Sequence, residues 1–266
     1  MKRLAIAAAG AAGLLWIGVR VKLRPFPPYP EKTPPLATVP LPEGLPAPVE
    51  RFFRLTIGDR VPLITSAVLT GRGPMRLAGI TVNGRFRFTH RAGRDYRHYF
   101  ELGLFGRGIL RANERYVDGA ARMELPFGTT EGDPTLAQAA NLGLWAESIW
   151  LPSILLTDPR VRWEPVADTA ARLIVPFGDG EDTFTVTFDE RSGLITSLEA
   201  MRYKERSRPK VRWIVEPSRW ASVHGMQLPM EGAATWEDEG TPWAVFRVEE
   251  AAYNVGVDDN LRARGL

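Results

Sequence analysis

The run Asp133-Pro134-Thr135-Leu136-Ala137-Gln138-Ala139-Ala140-Asn141-Leu142-Gly143-Leu144-Trp145-Ala146-Glu147-Ser148-Ile149-Trp150-Leu151-Pro152 decides how this chain is read. Asp133 suits an N-cap, and Pro134 suits the first helical position, where a missing N–H costs nothing. Thr135 to Leu151 then reads as helix, ended or kinked by Pro152. Apolar residues leave it greasy on nearly every side, with Gln138, Asn141 and Glu147 as its main polar members. A helix apolar all round is buried or lies against lipid. Its polar members and Pro152 argue against a membrane span, which places it inside a fold.

The flanking segments read as strands. Arg85-Phe86-Arg87-Phe88 alternates polar and apolar, and Phe100, Leu102 and Leu104 continue at period two. The same period recurs at Ala121 to Phe127, Leu173 to Phe177, Phe184 to Phe188, Val211 to Val215 and Phe246 to Val248. One apolar face per strand marks an antiparallel sheet wet on one side. Asn83-Gly84, Asp118-Gly119, Gly178-Asp179-Gly180 and Ser192-Gly193 are the expected hairpin turns. No strand–helix–strand repetition appears, which argues against a doubly wound parallel sheet. The fold class expected is therefore mainly β (α+β): a curved antiparallel sheet or half-barrel wrapping one apolar helix. A shorter helix is expected over Val49 to Ile57, stopped by Gly58.

Four segments follow along the 266 residues. Residues 1–24 hold the uncharged run Leu4 to Val19 between Lys2-Arg3 and Arg20, Lys22 and Arg24, and read as an uncleaved membrane anchor. Residues 25–48 carry ten prolines and read as an extended stem holding the domain away from the bilayer. Residues 49–256 form the β-rich domain, and 257–266 a tail. With no cysteine, disulfides and thiolate metal sites are excluded. The net charge of +3 comes from arginines scattered along strands, a solvated face and not a nucleic-acid stripe. The partner implied is a membrane, through the N-terminal helix.

Trp145-Ala146-Glu147-Ser148-Ile149-Trp150-Leu151-Pro152 resembles the Glu-x-x-Trp-x-Pro hallmark of an uncharacterised bacterial family of unknown function. Gly71-Arg72-Gly73, Trp163, Arg202-Tyr203, Gly225-Met226-Gln227-Leu228-Pro229 and Trp236 fit the same pattern, over roughly residues 44 to 255. That family transfers no catalytic residues. In outline it is similar to lipoprotein carriers of the LolA type, half-barrels that hold acyl chains between sheet and helices. The N-terminal anchor makes the chain a single-pass protein of the cell membrane, and the resemblance implies that its domain is extracytoplasmic.

Three functional readings follow. A lipid or other hydrophobic ligand would sit among Trp145, Glu147, Trp150, Leu151, Phe184, Val186 and Trp213, without catalysis and with no cofactor. Alternatively the domain is a structural or interaction module of an envelope complex. In the third reading Glu147, a carboxylate on an apolar helix, serves as general acid or base. His90 and His98 end and begin neighbouring strands and can approach each other, but the sequence names no further ligand for a metal there, so none is expected. Asp179, Glu181 and Asp182 read as an acidic hairpin turn.

Overall fold

The computed structural model describes residues 10, 13–77 and 79–264. Strands β1 (Thr38–Pro40) and β2 (Arg60–Pro62) pair as a small ribbon flanking helix α1 (Ala47–Ile57). A first meander contains β3 (Ser66–Leu77), β4 (Ile80–Arg91), β5 (Asp95–Leu104), β6 (Arg107–Val117), β7 (Ala120–Leu125) and β8 (Gly128–Glu131). The helical segment follows: α2 (Pro134–Ala146), a 3-10 turn (Glu147–Trp150) and α3 (Ile154–Thr157). The second meander runs through β9 (Arg162–Ala167), β10 (Ala170–Phe177), β11 (Gly180–Phe188), β12 (Ile195–Arg202), β13 (Val211–Val223), β14 (Met226–Trp236) and β15 (Pro242–Tyr253).

The two meanders merge into one thirteen-stranded antiparallel sheet, β8-β7-β6-β5-β4-β3-β15-β14-β13-β12-β11-β10-β9. It is not closed into a barrel: β8 and β9 are its free edges. The chain passes from one edge to the other only through the helical segment, so α2 must cross the inner face. There it packs on β6, β7, β10 and β12, while the 3-10 turn packs on β14. Every residue from Gln138 to Ala146 is buried. The expected arrangement, an apolar helix held in a bent antiparallel sheet, is the one found.

Asp133 caps α2 through its side chain, accepting from the Thr135 N–H at 2.9 Å. The polar helix residues are satisfied by the sheet, as buried polar groups must be. Gln138 Nε2 and Asn141 Nδ2 each donate to the Asp182 carboxylate at 3.0 Å. Asp182 is therefore a buried β11 residue holding the helix, not part of the expected acidic turn.

The seam between meanders is β3 against β15, the one pairing in this sheet between strands distant in sequence. Gly71 and Gly73 permit it: a Cβ on either would overlap the carbonyl oxygen of Arg247 or Val245. Dispersion and burial do the rest, with Phe86, Phe88, Phe184, Leu142 and Trp145 in a single apolar cluster.

Several expectations are corrected. Asn83-Gly84 is not a turn but lies inside β4, where Gly84 faces Gly73 across the ladder. The turn is made by Gly79, whose φ of +79° suits glycine. The proline-rich stretch does not stand away from the domain. It lies along it, because its few polar side chains find partners there: Tyr29 Oη donates to the Gly256 carbonyl at 2.5 Å, and Glu31 accepts from the Gly256 N–H at 2.8 Å. The tail is partly structured, since α4 (Asp258–Arg262) buries Leu261 against Val68, Val255 and Val257. The anchor expected over residues 1–24 falls largely outside the described residues. Residues 13–20 are helical, and no helix among the described residues is long and apolar enough to cross a membrane.

Candidate functional site

Strand alternation puts Phe86, Phe88 and His90 of β4 on the inner face beside Tyr96, His98 and Phe100 of β5. The register sets Phe88 opposite His98 and His90 opposite Tyr96. On the next strand His98 faces Glu114. Two histidines, a tyrosine and a carboxylate thus share one buried patch. The helical segment supplies the fourth kind of contact. Where α2 tightens into the 3-10 turn, Glu147 points down onto this patch.

His98 Nε2 lies 2.7 Å from Glu147 Oε2, a hydrogen bond, and His90 Nε2 lies 3.1 Å from the same oxygen. His90 Nε2 is in reach but out of line, and no hydrogen bond to it is made. His98 Nδ1 stands 3.8 Å from Glu114 Oε2, and Tyr96 donates to Glu114 Oε1 at 2.7 Å while stacking on the His98 ring at 3.9 Å. Arg202 closes the far side: its Nε donates to the Ala139 carbonyl at 3.0 Å, and its guanidinium lies over Trp213.

The electrostatics follow from burial and pairing. Burial pushes His98 down, but the charges of Glu147 and Glu114 outweigh it and raise its pKa to about 9. Burial pushes Glu147 up, yet the charge and hydrogen bond of His98, with His90 close by, hold it at about 2. His90 is lowered, because desolvation exceeds what Glu147 returns. Glu114 is held below its ordinary value against its own burial by His98 and Tyr96. The patch therefore carries a neutral His90 beside a charged His98–Glu147 pair.

Of the residues expected to line a ligand pocket, all seven belong to the interior. Trp145, Trp150, Leu151, Phe184, Val186 and Trp213 are buried in the one apolar cluster. Glu147, Trp150 and Trp213 border a common void of about 30 Å³, with Phe246 on its wall. That is room for a water, not for an acyl chain. A second space, an open cleft of about 700 Å³, lies at the mouth of the wrap beside Trp145 and Asn141. Within it Arg91 pairs with Asp95 at 2.5 Å and Arg160 with Asp158 at 2.6 Å.

Sequence reasoning named Glu147 and the two histidines separately, named Arg202 only as part of the family pattern, and missed Tyr96 and Glu114. The period-two spacing of Tyr96 and His98 was a signal for a shared face. Nothing local connects either to Glu147, which lies 49 positions beyond His98.

The model of a family of unknown function, DUF6544, matches residues 36–248, and the chain belongs to that family. No curated protein matches it significantly. Among solved structures, the chain is similar to a LolA superfamily protein from Nitrosomonas europaea. The identity is 9%, the match covers 83% of this chain and 99% of that one, and the TM-score is 0.48. It is also similar to a DUF1329 family protein from Desulfovibrio piger, at 13% identity over 74% of this chain and 88% of that one, with a TM-score of 0.43.

Proposed function

We propose that this family member is a membrane-surface module that binds a lipid-like apolar ligand and catalyses no reaction. One observation carries the reading. Three hairpin tips at the same end of the first meander bear exposed apolar side chains: Leu77 and Ile80, Phe105 and Ile109, and Phe127 at 78% exposure. The apolar N-terminal segment meets that end. The Phe105 N–H donates to the Gly18 carbonyl at 2.8 Å, and Asn83 Nδ2 to the Arg20 carbonyl at 2.6 Å. Leu14, Leu15, Trp16 and Ile17 are exposed beside them. Water disfavours such a grouping, and a bilayer interface accepts it. Exposed Arg20, Lys22, Arg24 and Arg107 at the same end suit anionic headgroups.

Ligand uptake in this reading requires the wrap to open, since its interior is filled. The free edges β8 and β9, which do not pair with each other, are where it would part. Glu147 faces no open cleft and is engaged by two histidines, which favours binding over acid–base chemistry. Flotation with anionic and neutral vesicles, followed by native mass spectrometry, tests the proposal. The full chain is expected to float with anionic vesicles and to carry a lipid adduct. A Phe105→Ser/Phe127→Ser variant should float at least tenfold less. Absence of flotation, or flotation unchanged in the variant, rejects the surface; a lipid-free mass after incubation rejects the ligand.

A further inference from the structure

We propose that His90, His98 and Glu147 form a binding site for one transition-metal ion of the zinc type. Their donor atoms, two imidazole nitrogens and a carboxylate oxygen, lie within 4.8 Å of one another. They come from three separate elements, β4, β5 and the 3-10 turn, and converge without any helix or loop spacing to force it. Ligands at about 2.1 Å from a tetrahedral ion stand roughly 3.4 Å apart, so the 2.7 and 3.1 Å separations need to open by about 0.7 and 0.3 Å.

A second observation points the same way. His90 is 99% buried, and its Nε2 is aimed at the cluster with no aligned hydrogen bond. A buried imidazole nitrogen without an aligned hydrogen bond is unfavourable, and an ion at this point would satisfy it. The surroundings have the form of a metal site's outer layer. Glu114 stands on the far nitrogen of His98, and Tyr96 in turn orients Glu114. A carboxylate behind a ligating histidine fixes its ring and raises its basicity. Two imidazoles with one carboxylate select zinc, cobalt, nickel or ferrous iron over calcium and magnesium, which require oxygen donors. The ion would pin the Glu-x-x-Trp-x-Pro turn to the sheet, giving the hallmark glutamate a chemical role. The inference does not depend on the membrane reading.

The test uses the purified full chain, stripped with a chelator and dialysed. Zinc bound after re-addition is counted by elemental analysis, and cobalt supplied alone is followed by its visible absorption. One equivalent of zinc and cobalt bands of a four- or five-coordinate site are expected. His90→Asn should weaken zinc binding at least a hundredfold with unchanged circular dichroism, and Glu114→Gln should weaken it about 10- to 100-fold. If His98→Asn fails to fold, His90→Asn still decides, because His90 Nε2 makes no hydrogen bond in the fold. Less than a tenth of an equivalent of zinc, or full binding in His90→Asn, overturns the proposal.

Discussion

Glu147 Oε2 and His98 Nε2 stand 2.7 Å apart across the contact between the helical segment and β5. That single bond ties the family hallmark to the sheet at a buried point. In metal-free protein, Glu147→Gln removes the charge but keeps the shape, leaving a charged His98 among Phe88, Tyr96 and Phe100 with only the more distant Glu114 carboxylate, 3.8 Å away. Breaking a buried pair from one side costs about 3–5 kcal/mol. Urea unfolding followed by tryptophan fluorescence should show the midpoint fall accordingly. A loss below 1 kcal/mol would mean that the pair adds little.

The same pair sets a pH window for the metal-free protein. Glu147 is lowered from 4.5 to about 2, so its contribution is whole above 4.5 and vanishes as pH falls toward 2. His98 is raised from 6.5 to about 9, so its contribution is whole below 6.5 and is lost as pH rises through 9. Stability from the pair should be greatest between about pH 4.5 and 6.5. Urea midpoints at pH 3, 5.5 and 9 check this; a Glu147→Gln background should flatten the profile.

Two glycines should respond oppositely to alanine. Gly73→Ala drives a methyl group into the Val245 carbonyl at the β3–β15 seam and is expected to abolish soluble expression or lower the thermal midpoint by more than 10 °C. Gly143→Ala, within α2, meets nothing nearer than the Tyr96 hydroxyl at 3.8 Å. It should stabilise by about 0.5–1 kcal/mol, the helix-propensity difference. Calorimetry of both variants distinguishes the two signs.

Trp150 of the hallmark holds the 3-10 turn to β14. Its Nε1 donates to the Pro229 carbonyl at 2.6 Å, and its own carbonyl accepts from the Tyr253 hydroxyl at 2.8 Å. Trp150→Phe keeps much of the packing but strands the buried Pro229 oxygen, at a cost of about 1–3 kcal/mol. Tyr253→Phe should cost a similar amount. A double variant whose cost is less than the sum would show that the two bonds brace the same turn.

Strand periodicity and the helix were legible because they are local: Phe86-Arg87-Phe88 and Thr185-Val186-Thr187 show their faces within three residues. The wrap around α2 was legible because an all-apolar helix has few places to go. The site was not, since meeting Glu147 requires His98 to sit on the right face of β5 and α2 to end one residue before Glu147. Asp182 misled for a related reason: an acid next to a glycine turn reads as solvent-facing until the helix amides above it are known. The proline-rich stretch misled because proline content predicts extension, which it has, but says nothing of what the extended chain lies against.

The closing of β15 onto β3 has a consequence for how the protein is made. The strand that joins the halves is the last of the sheet's strands in chain order, so neither meander can bury its seam edge until residues near 253 have emerged. Contacts of such long range are slow to form and leave strand edges exposed meanwhile. A nascent chain stalled before Pro242 should therefore stay protease-sensitive along β3, and resumed synthesis past Tyr253 should convert it to the resistant state in one late step.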